Sequence, residues 1–405
     1  MESKLYLFTG RFPYSRVENF LEDEIVFLCR SFDKVFIIPF KSETGPRRIC
    51  PDNCITLEPI VKSNWDYMFN GLLNLRGSYI MFKELFKNRA LFSINKLKVW
   101  GTGYIAVNCL LNSSVVREIS KKVTGQELCY FYWGKWGNVL SYFFRKKSHF
   151  ISRFHGDWDL WEEKYDGYAP LRKLVSSSLD CAVFISQKGQ EYFKQRYPGC
   201  NTKLFRLGTK DIGIVPPSKD GVIRVLSCST VYPLKRVDLI LESVAEVSKT
   251  RKVEWTHLGG GVDFDRIKTV ALSKQNESLS INLTGMISYT EVLDYYKNHC
   301  VDVFVNLSTN EGIPVSIMEA ISCDIPVVAT NVGSTSEVVR DESGLLVSSN
   351  PTPHEVAISI SRVVDERKSF TPRAFWASMY KADTNYKEFS IFLKKIVQKY
   401  DTPIS

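Results

Sequence analysis

Across the second half of this 405-residue chain, short apolar runs alternate with longer segments whose apolar residues recur at helical spacing. Residues 222–227, 253–258, 279–283, 301–306, 326–330 and 344–347 read as strands. Residues 236–247, 264–273, 289–298, 314–322 and 354–364 read as helices. Repeated strand-then-helix units of this length predict a parallel, doubly wound sheet with helices on its faces. Sheets of this kind bind ligands beyond the carboxyl ends of their strands.

The first half opens in the same manner. Residues 5–9, 35–39, 128–132, 149–154 and 181–186 read as strands, and 18–30 as a helix whose acids Glu18, Glu22, Asp23 and Glu24 face solvent. Residues 65–116 are helical and irregular by turns. The run from Val215 to Gly221, rich in Pro, Ser and Gly, has linker composition and marks a boundary between two α/β domains. The expected domains are 1–212 and 213–372, followed by a helical segment, 373–405, with Trp376, Tyr380, Tyr386 and Phe389 at helical spacing.

With 44% hydrophobic and 24% charged residues, the chain belongs with globular proteins rather than disordered ones. The longest membrane-like stretch, 104–111, is far short of a span, and residues 1–8 lack the cationic start and apolar run of a signal peptide. Ten cysteines occur without any Cys-x-x-Cys pair, and Cys181, Cys228 and Cys323 lie in or beside apolar runs, a pattern expected of reduced thiols in the cytoplasm. The net charge of +9 is concentrated: residues 61–150 hold 14 Lys and Arg against 4 Asp and Glu, interleaved with aromatics. Such a surface suits an anionic membrane, a phosphorylated acceptor or nucleic acid; a solvated helix face above an aromatic core explains it equally well.

The most informative stretch is Asn306-Leu-Ser-Thr-Asn-Glu311-Gly312-Ile313-Pro314-Val315-Ser-Ile-Met-Glu319-Ala320. A buried strand ends at Asn306, a polar loop follows, and Pro314 falls where the first turn of a helix accepts proline. Free amides of that turn, at Gly312, Ile313 and Val315, together with the helix dipole, can hold a diphosphate. Glu319 lies just over one turn further on, within reach of a ribose, and Glu311 in the loop is placed for sugar hydroxyls.

This stretch resembles the E-x7-E signature of family 4 glycosyltransferases, retaining enzymes of GT-B fold. The resemblance continues through Asp324–Gly333, Ser336–Val339 and 343–347; it is close over the last 190 residues or so and loose before them. It implies two facing Rossmann-like, doubly wound domains with a cleft between them, acceptor bound by the first and donor by the second, and the last helix returning to the first domain. Ser227-Cys-Ser-Thr230-Val-Tyr-Pro-Leu-Lys235-Arg236 resembles the strand-loop-helix that presents cations to the donor diphosphate. Lys235 matches the family lysine; Thr230 stands where the family commonly has an arginine, leaving Arg236 as candidate second cation. Gly259-Gly260-Gly261 and Thr284-Gly285-Met286-Ile287 match the glycine-rich turn and the base-contacting segment. Gly10, after the first strand, lies where the family has its flexible cleft loop, with Arg11 and Arg16 near it. His155 matches the histidine that faces the donor sugar.

The resemblance implies metal-independent transfer of a hexose from a UDP- or GDP-sugar, with retention, to a saccharide or polyprenyl-phosphate-linked acceptor. His155, Glu311 and Lys235 would carry the chemistry, as in bacterial surface polysaccharide assembly, with peripheral contact to the inner membrane face through 61–150 and no nucleic acid partner. Asp157-Trp-Asp159 also fits the metal-binding D-x-D of the other large glycosyltransferase class. Competing readings are a sugar-nucleotide epimerase or phosphorylase, or a non-catalytic sugar-nucleotide-binding protein.

Overall fold

A computed structural model describes residues 2–14, 18, 20–43, 47–145, 147–156 and 159–398. The chain divides into two compact units, one of Met1–Phe205 with Tyr386–Ser405 and one of Arg206–Asn385.

The first unit holds a seven-stranded parallel sheet. Its strands are β1 (Lys4–Thr9), β2 (Lys34–Pro39), β3 (Cys54–Thr56), β4 (Leu128–Phe131), β5 (His149–Phe154), β6 (Cys181–Phe184) and β7 (Thr202–Leu204), in the order β3-β2-β1-β4-β5-β6-β7. The second unit holds six: β8 (Ile223–Cys228), β9 (Val253–Leu258), β10 (Leu279–Leu283), β11 (Val303–Asn306), β12 (Val327–Thr330) and β13 (Gly344–Val347), ordered β10-β9-β8-β11-β12-β13. In each sheet the winding reverses between two neighbours, β1 and β4 or β8 and β11. Those crevices are where doubly wound sheets bind ligands.

Central strands are apolar on both faces because helices cover both. Tyr6 and Phe8 of β1 pack with Cys129 and Phe131 of β4 on one face, while Leu5 and Leu7 pack with Leu128 and Tyr130 on the other. The second face is covered by helix Leu21–Ser31 and by Phe389, Leu393 and Val397 of the last helix, Ala382–Gln398.

The segment expected as one returning helix from 373 is broken in two. Helix Pro372–Met379 packs on helix Val315–Ser322, and the Trp376 Nε1–H donates to Thr209 Oγ1 at 2.9 Å. It therefore stays with the second unit, and only from Tyr386 does the chain join the first.

The acids of helix Leu21–Ser31 do not all face solvent. Glu24 is fully buried, with its Oε2 2.5 Å from Arg153 Nη1 of β5. Glu24 Oε1 accepts from the Tyr130 hydroxyl at 2.9 Å, and Arg153 Nη2 donates to the Phe205 carbonyl at 3.1 Å. No local pattern announces this pair, because its partners come from separate elements.

In the second unit, His257 of β9 is buried. Its Nδ1 accepts from the Ser227 hydroxyl at 2.8 Å, its Nε2–H donates to the Ser229 carbonyl at 3.1 Å, and the Trp255 indole N–H donates to Ser227 Oγ at 2.9 Å. Burial pushes its pKa down to about 4 from an ordinary 6.5, so the folded chain holds it neutral. Above pH 6.5 neither state binds the proton, and the full stability is present. Between pH 6.5 and 4 the unfolded chain binds it and the folded chain does not, so stability falls with pH by about 3 kcal/mol in total. Urea midpoints of wild type and His257→Gln, measured across that window, are expected to converge as pH falls. Parallel curves would refute the assignment.

Candidate functional site

The crevice of the second unit lies between the ends of β8 and β11. After β8 the chain makes a 3-10 turn, Pro233–Lys235, and enters helix Val237–Val247 through Arg236 in the left-handed region, φ 46°. After β11 it makes the loop 307–314. The two loops are tied together, since the Thr309 N–H donates to the Leu234 carbonyl at 2.8 Å. The result is a direct contact between the two predicted residues of opposite charge: Lys235 Nζ is 2.5 Å from Glu311 Oε1. Asn306 Nδ2 also donates to Glu311 Oε1 at 3.4 Å.

A glycine fixes the position of Glu311. Gly333, at φ 53°, packs so tightly that a Cβ there would lie 1.7 Å from the Glu311 carbonyl oxygen, and the Ser334 N–H donates to the Gly312 carbonyl at 3.2 Å. Only glycine fits both the conformation and the space. Sequence reading places Gly333 within the resemblance without giving it this role.

Helix Val315–Ser322 begins one residue later than expected. Pro314 has ψ 115°, so it precedes the helix, and its carbonyl accepts from Ile317 N–H at 3.2 Å. Val315 and Ser316 open the helix, where N–H groups lack partners within it, with Gly312 and Ile313 in the loop before them. Three buried hydroxyls near this start, those of Ser308, Ser334 and Thr335, have no hydrogen-bond partner among the described residues. Buried polar atoms are seldom left so, and a bound polar molecule would satisfy them. Glu319 is buried one turn into the helix. Burial first, and then the charge of Glu319, push the Cys228 thiol up to about 12, which places that carboxylate beside the end of β8.

Arg236, the candidate second cation, is bound to the loop after β11 and to Ser349. Its Nε donates to the Leu307 carbonyl at 2.5 Å, and its Nη2 to the carbonyls of Ser308 and Ser349 at 3.1 and 2.9 Å. Its Nη1 donates to Asn350 Oδ1 at 3.3 Å. Gly260 and Ile287 lie beyond β9 and β10. A Cβ on Gly260 would come within 2.8 Å of the Met286 amide nitrogen, so the glycine turn and the segment 284–287 pack backbone to backbone. Ile287 is half-buried.

In the first unit, His155 follows β5 and is buried among Tyr132, Trp133 and Phe20, at ring-centroid distances of 4.7, 4.5 and 6.3 Å. Its Nδ1 is 3.4 Å from Asp159 Oδ2, while its Nε2 has no partner among the described residues. Burial lowers the histidine pKa and Asp159 only partly offsets that, so the ring is neutral at pH 7. Asp159 also accepts from the N–H groups of Gly134, His155 and Gly156 at 3.0–3.1 Å. Burial raises its pKa, but these partners outweigh burial and hold the carboxyl below its usual range. Its oxygens anchor three loop amides. Its proposed metal-binding companion Asp157 lies outside the described residues, as does Arg16.

The Gly10 amide is already taken. Glu18, another acid read as solvent-facing, is buried and accepts from the N–H groups of Gly10, Arg11 and Phe12 at 3.1, 2.6 and 2.6 Å, and from the Trp133 indole. Arg11 pairs with Glu43. Thus Lys235, Glu311, Gly312, Ile313, Pro314, Val315 and Glu319 come together in the second unit, while His155 and Gly10 flank the crevice of the first.

Residues 213–374 match the family described as glycosyl transferases, group 1. Among curated proteins, the chain is 27% identical over 155 residues to the O-antigen biosynthesis glycosyltransferase WbnH of Escherichia coli, covering 38% of this chain and 41% of that protein. It is 26% identical over 183 residues to the D-inositol 3-phosphate glycosyltransferase 2 of Catenulispora acidiphila, covering 42% and 41%. The match thus spans less than half the length of these relatives. Two solved structures share the fold across the whole chain. The apo lipopolysaccharide outer core galactosyltransferase WaaB has a TM-score of 0.67 at 15% identity, covering 97% of this chain and 99% of that one. Anabaena HepE in complex with UDP and glucose has a TM-score of 0.63 at 14% identity, covering 97% and 100%. The two parallel-sheet units form the GT-B fold, and the glycosyltransferase resemblance read from the sequence holds.

Proposed function

We propose, starting from a C-terminal unit of the group 1 glycosyl transferase kind, that this chain transfers a hexose from a UDP- or GDP-sugar with retention of configuration. The observation that carries the reading is the Lys235–Glu311 contact beside the start of helix Val315–Ser322. A cation and free amides would meet the diphosphate there, Glu311 the sugar hydroxyls, and Glu319 the ribose. The three unpartnered hydroxyls at that spot support a polar occupant. So does the description of HepE as a complex with UDP and glucose.

In this reading the acceptor hydroxyl attacks beside the departing nucleotide, and the leaving phosphate oxygen takes its proton. The protein then contributes positioning and stabilisation of the growing negative charge. His155, neutral and with Nε2 unpartnered, would orient the donor sugar. The reading needs no metal. The acceptor would be a saccharide or a polyprenyl-phosphate-linked saccharide met at the inner face of a membrane through residues 61–150, as in surface polysaccharide assembly. The names of WbnH and WaaB point the same way.

Saturation-transfer NMR with UDP-, GDP- and ADP-sugars, with and without EDTA, tests the donor site. Wild type is expected to bind one nucleotide regardless of EDTA, and Lys235→Ala to bind it about tenfold more weakly, the worth of one charge-assisted contact. Binding of none, or binding lost with EDTA, would overturn the assignment.

A further inference from the structure

Residues 64–112 form three helices, Asn64–Leu72, Leu75–Lys87 and Ile94–Asn112. They bury Ile80, Met81, Leu85, Val99, Val107 and Leu110 in an apolar core, and close contacts through glycines and polar groups tie the first two to the third. A Cβ on Gly71 would lie 2.4 Å from Ile105, and one on Gly77 would lie 2.4 Å from Asn108 Oδ1. The Ser78 and Tyr104 hydroxyls are 2.9 Å apart, and Asn74 Nδ2 donates to Asn112 Oδ1 at 2.8 Å.

A second set of large apolar side chains on these helices is turned outward. Trp65, Phe69 and Leu72 of the first helix are exposed, as are Leu75, Phe82 and Phe86 of the second. Beyond them Phe92 is 86% exposed and Ile94 65%. Monomeric soluble proteins seldom leave a run of this size uncovered.

The segment that carries them is also cationic. Residues 75–98 contain six Lys and Arg and one acid, Glu84, whose Oε1 is engaged by the Leu171 N–H at 3.1 Å. Arg76, Lys83, Lys87 and Lys173 line a groove of about 620 Å³, beside Tyr79 and Tyr142, with Glu84 as its one acid. No helix among the described residues is long and apolar enough to cross a membrane.

We propose that this face docks on a bilayer containing anionic lipids, with aromatic and aliphatic side chains in the headgroup boundary and the four-cation groove holding a lipid phosphate. The chemistry selects among occupants. Trp, Tyr, Phe and Leu mixed with Lys and Arg is the composition that partitions into an interface. Nucleic acid would stack on the aromatics, but it offers nothing to Leu72, Leu75 and Ile94. A second copy would set two strongly positive faces against each other. The inference rests on the reading of 61–150 as membrane-facing, and it is tested without any sugar transfer.

The experiment is co-sedimentation of the full chain with vesicles of phosphatidylcholine alone and of phosphatidylcholine with phosphatidylglycerol, over a salt series. Wild type is expected to bind only the anionic vesicles, less as salt rises. Lys83→Ala/Lys87→Ala is expected to weaken binding about thirtyfold. Phe86→Ser/Phe92→Ser, at exposed positions that leave the core intact, is expected to lose vesicle binding while keeping nucleotide binding. Failure to bind anionic vesicles overturns the proposal. So does a doubled mass in lipid-free gel filtration that disappears in Phe86→Ser/Phe92→Ser, which would name a second copy as the occupant. Vesicle binding without nucleotide binding would instead sink the sugar-transfer reading and leave this one standing.

Discussion

Lys235→Ala is expected to lower kcat for sugar transfer by about 10²–10³-fold, the cost of removing one preorganised group from a developing negative charge. In the structure Lys235 Nζ rests 2.5 Å from Glu311 Oε1, and both side chains are largely sheltered from water. A donor diphosphate would take over the ammonium, and its sugar would take over the carboxylate. Removing the lysine therefore costs twice. It takes charge stabilisation from the departing diphosphate, and it leaves Glu311 with Asn306 Nδ2 at 3.4 Å and no cation. Glu311→Gln removes that orphaned charge, so it should cost much less on top of Lys235→Ala than in wild type. Initial rates against donor concentration for the four forms close the cycle. A Lys235→Ala enzyme with raised KM and intact kcat would mean that the lysine binds ground state and transition state alike. Strictly additive losses would mean that the two residues act apart.

The site is legible in the sequence where its parts are consecutive. Glu311, the turn at Gly312 and Glu319 lie on one strand-loop-helix, so spacing alone carries their geometry, and the central strands are apolar runs because both faces are buried. Reading fails where tertiary partners decide. β3 and β7 escape it, because each has three residues, none of them fully buried. Glu18 and Glu24 look like solvent acids on a helix start, yet one holds the amides of residues 10–12 and the other an arginine from β5. The carbonyls of Leu307, Ser308 and Ser349 that Arg236 meets are likewise remote in sequence, and nothing local announces them. In helices 64–112 buried Met81, Leu85, Val107 and Leu110 occupy the inner face as apolar residues should, but a second apolar set, with Trp65, Phe69, Phe86 and Phe92, is exposed, so periodicity has two apolar sets to choose between.

Breaking the buried Arg153–Glu24 pair from one side, by Glu24→Ala or Arg153→Met, is expected to destabilise the first unit by about 3–5 kcal/mol. Each residue is fully buried, so the survivor would be a charge held away from water with no counter-ion. Burial lowers the arginine pKa and Glu24 raises it, and even without Glu24 a guanidinium keeps its proton at neutral pH, so Arg153 cannot escape by becoming neutral. Its guanidinium also lies 4.5 Å from the centre of the Phe389 ring, which belongs to the last helix, so that helix helps seal the pair. Replacing both residues, Glu24→Met with Arg153→Met, removes both buried charges and should recover much of the loss. Recovery should be incomplete, because the Tyr130 hydroxyl and the Phe205 carbonyl lose their partners. Urea unfolding followed by tryptophan fluorescence, fitted for the transition of the first unit, measures all four forms. Single variants within about 1 kcal/mol of wild type would mean that water reaches the pair, since exposed ion pairs are worth no more than that. A double variant as weak as the singles would mean that the hydrogen bonds to Tyr130 and Phe205, rather than the paired charges, hold helix Leu21–Ser31 against β5.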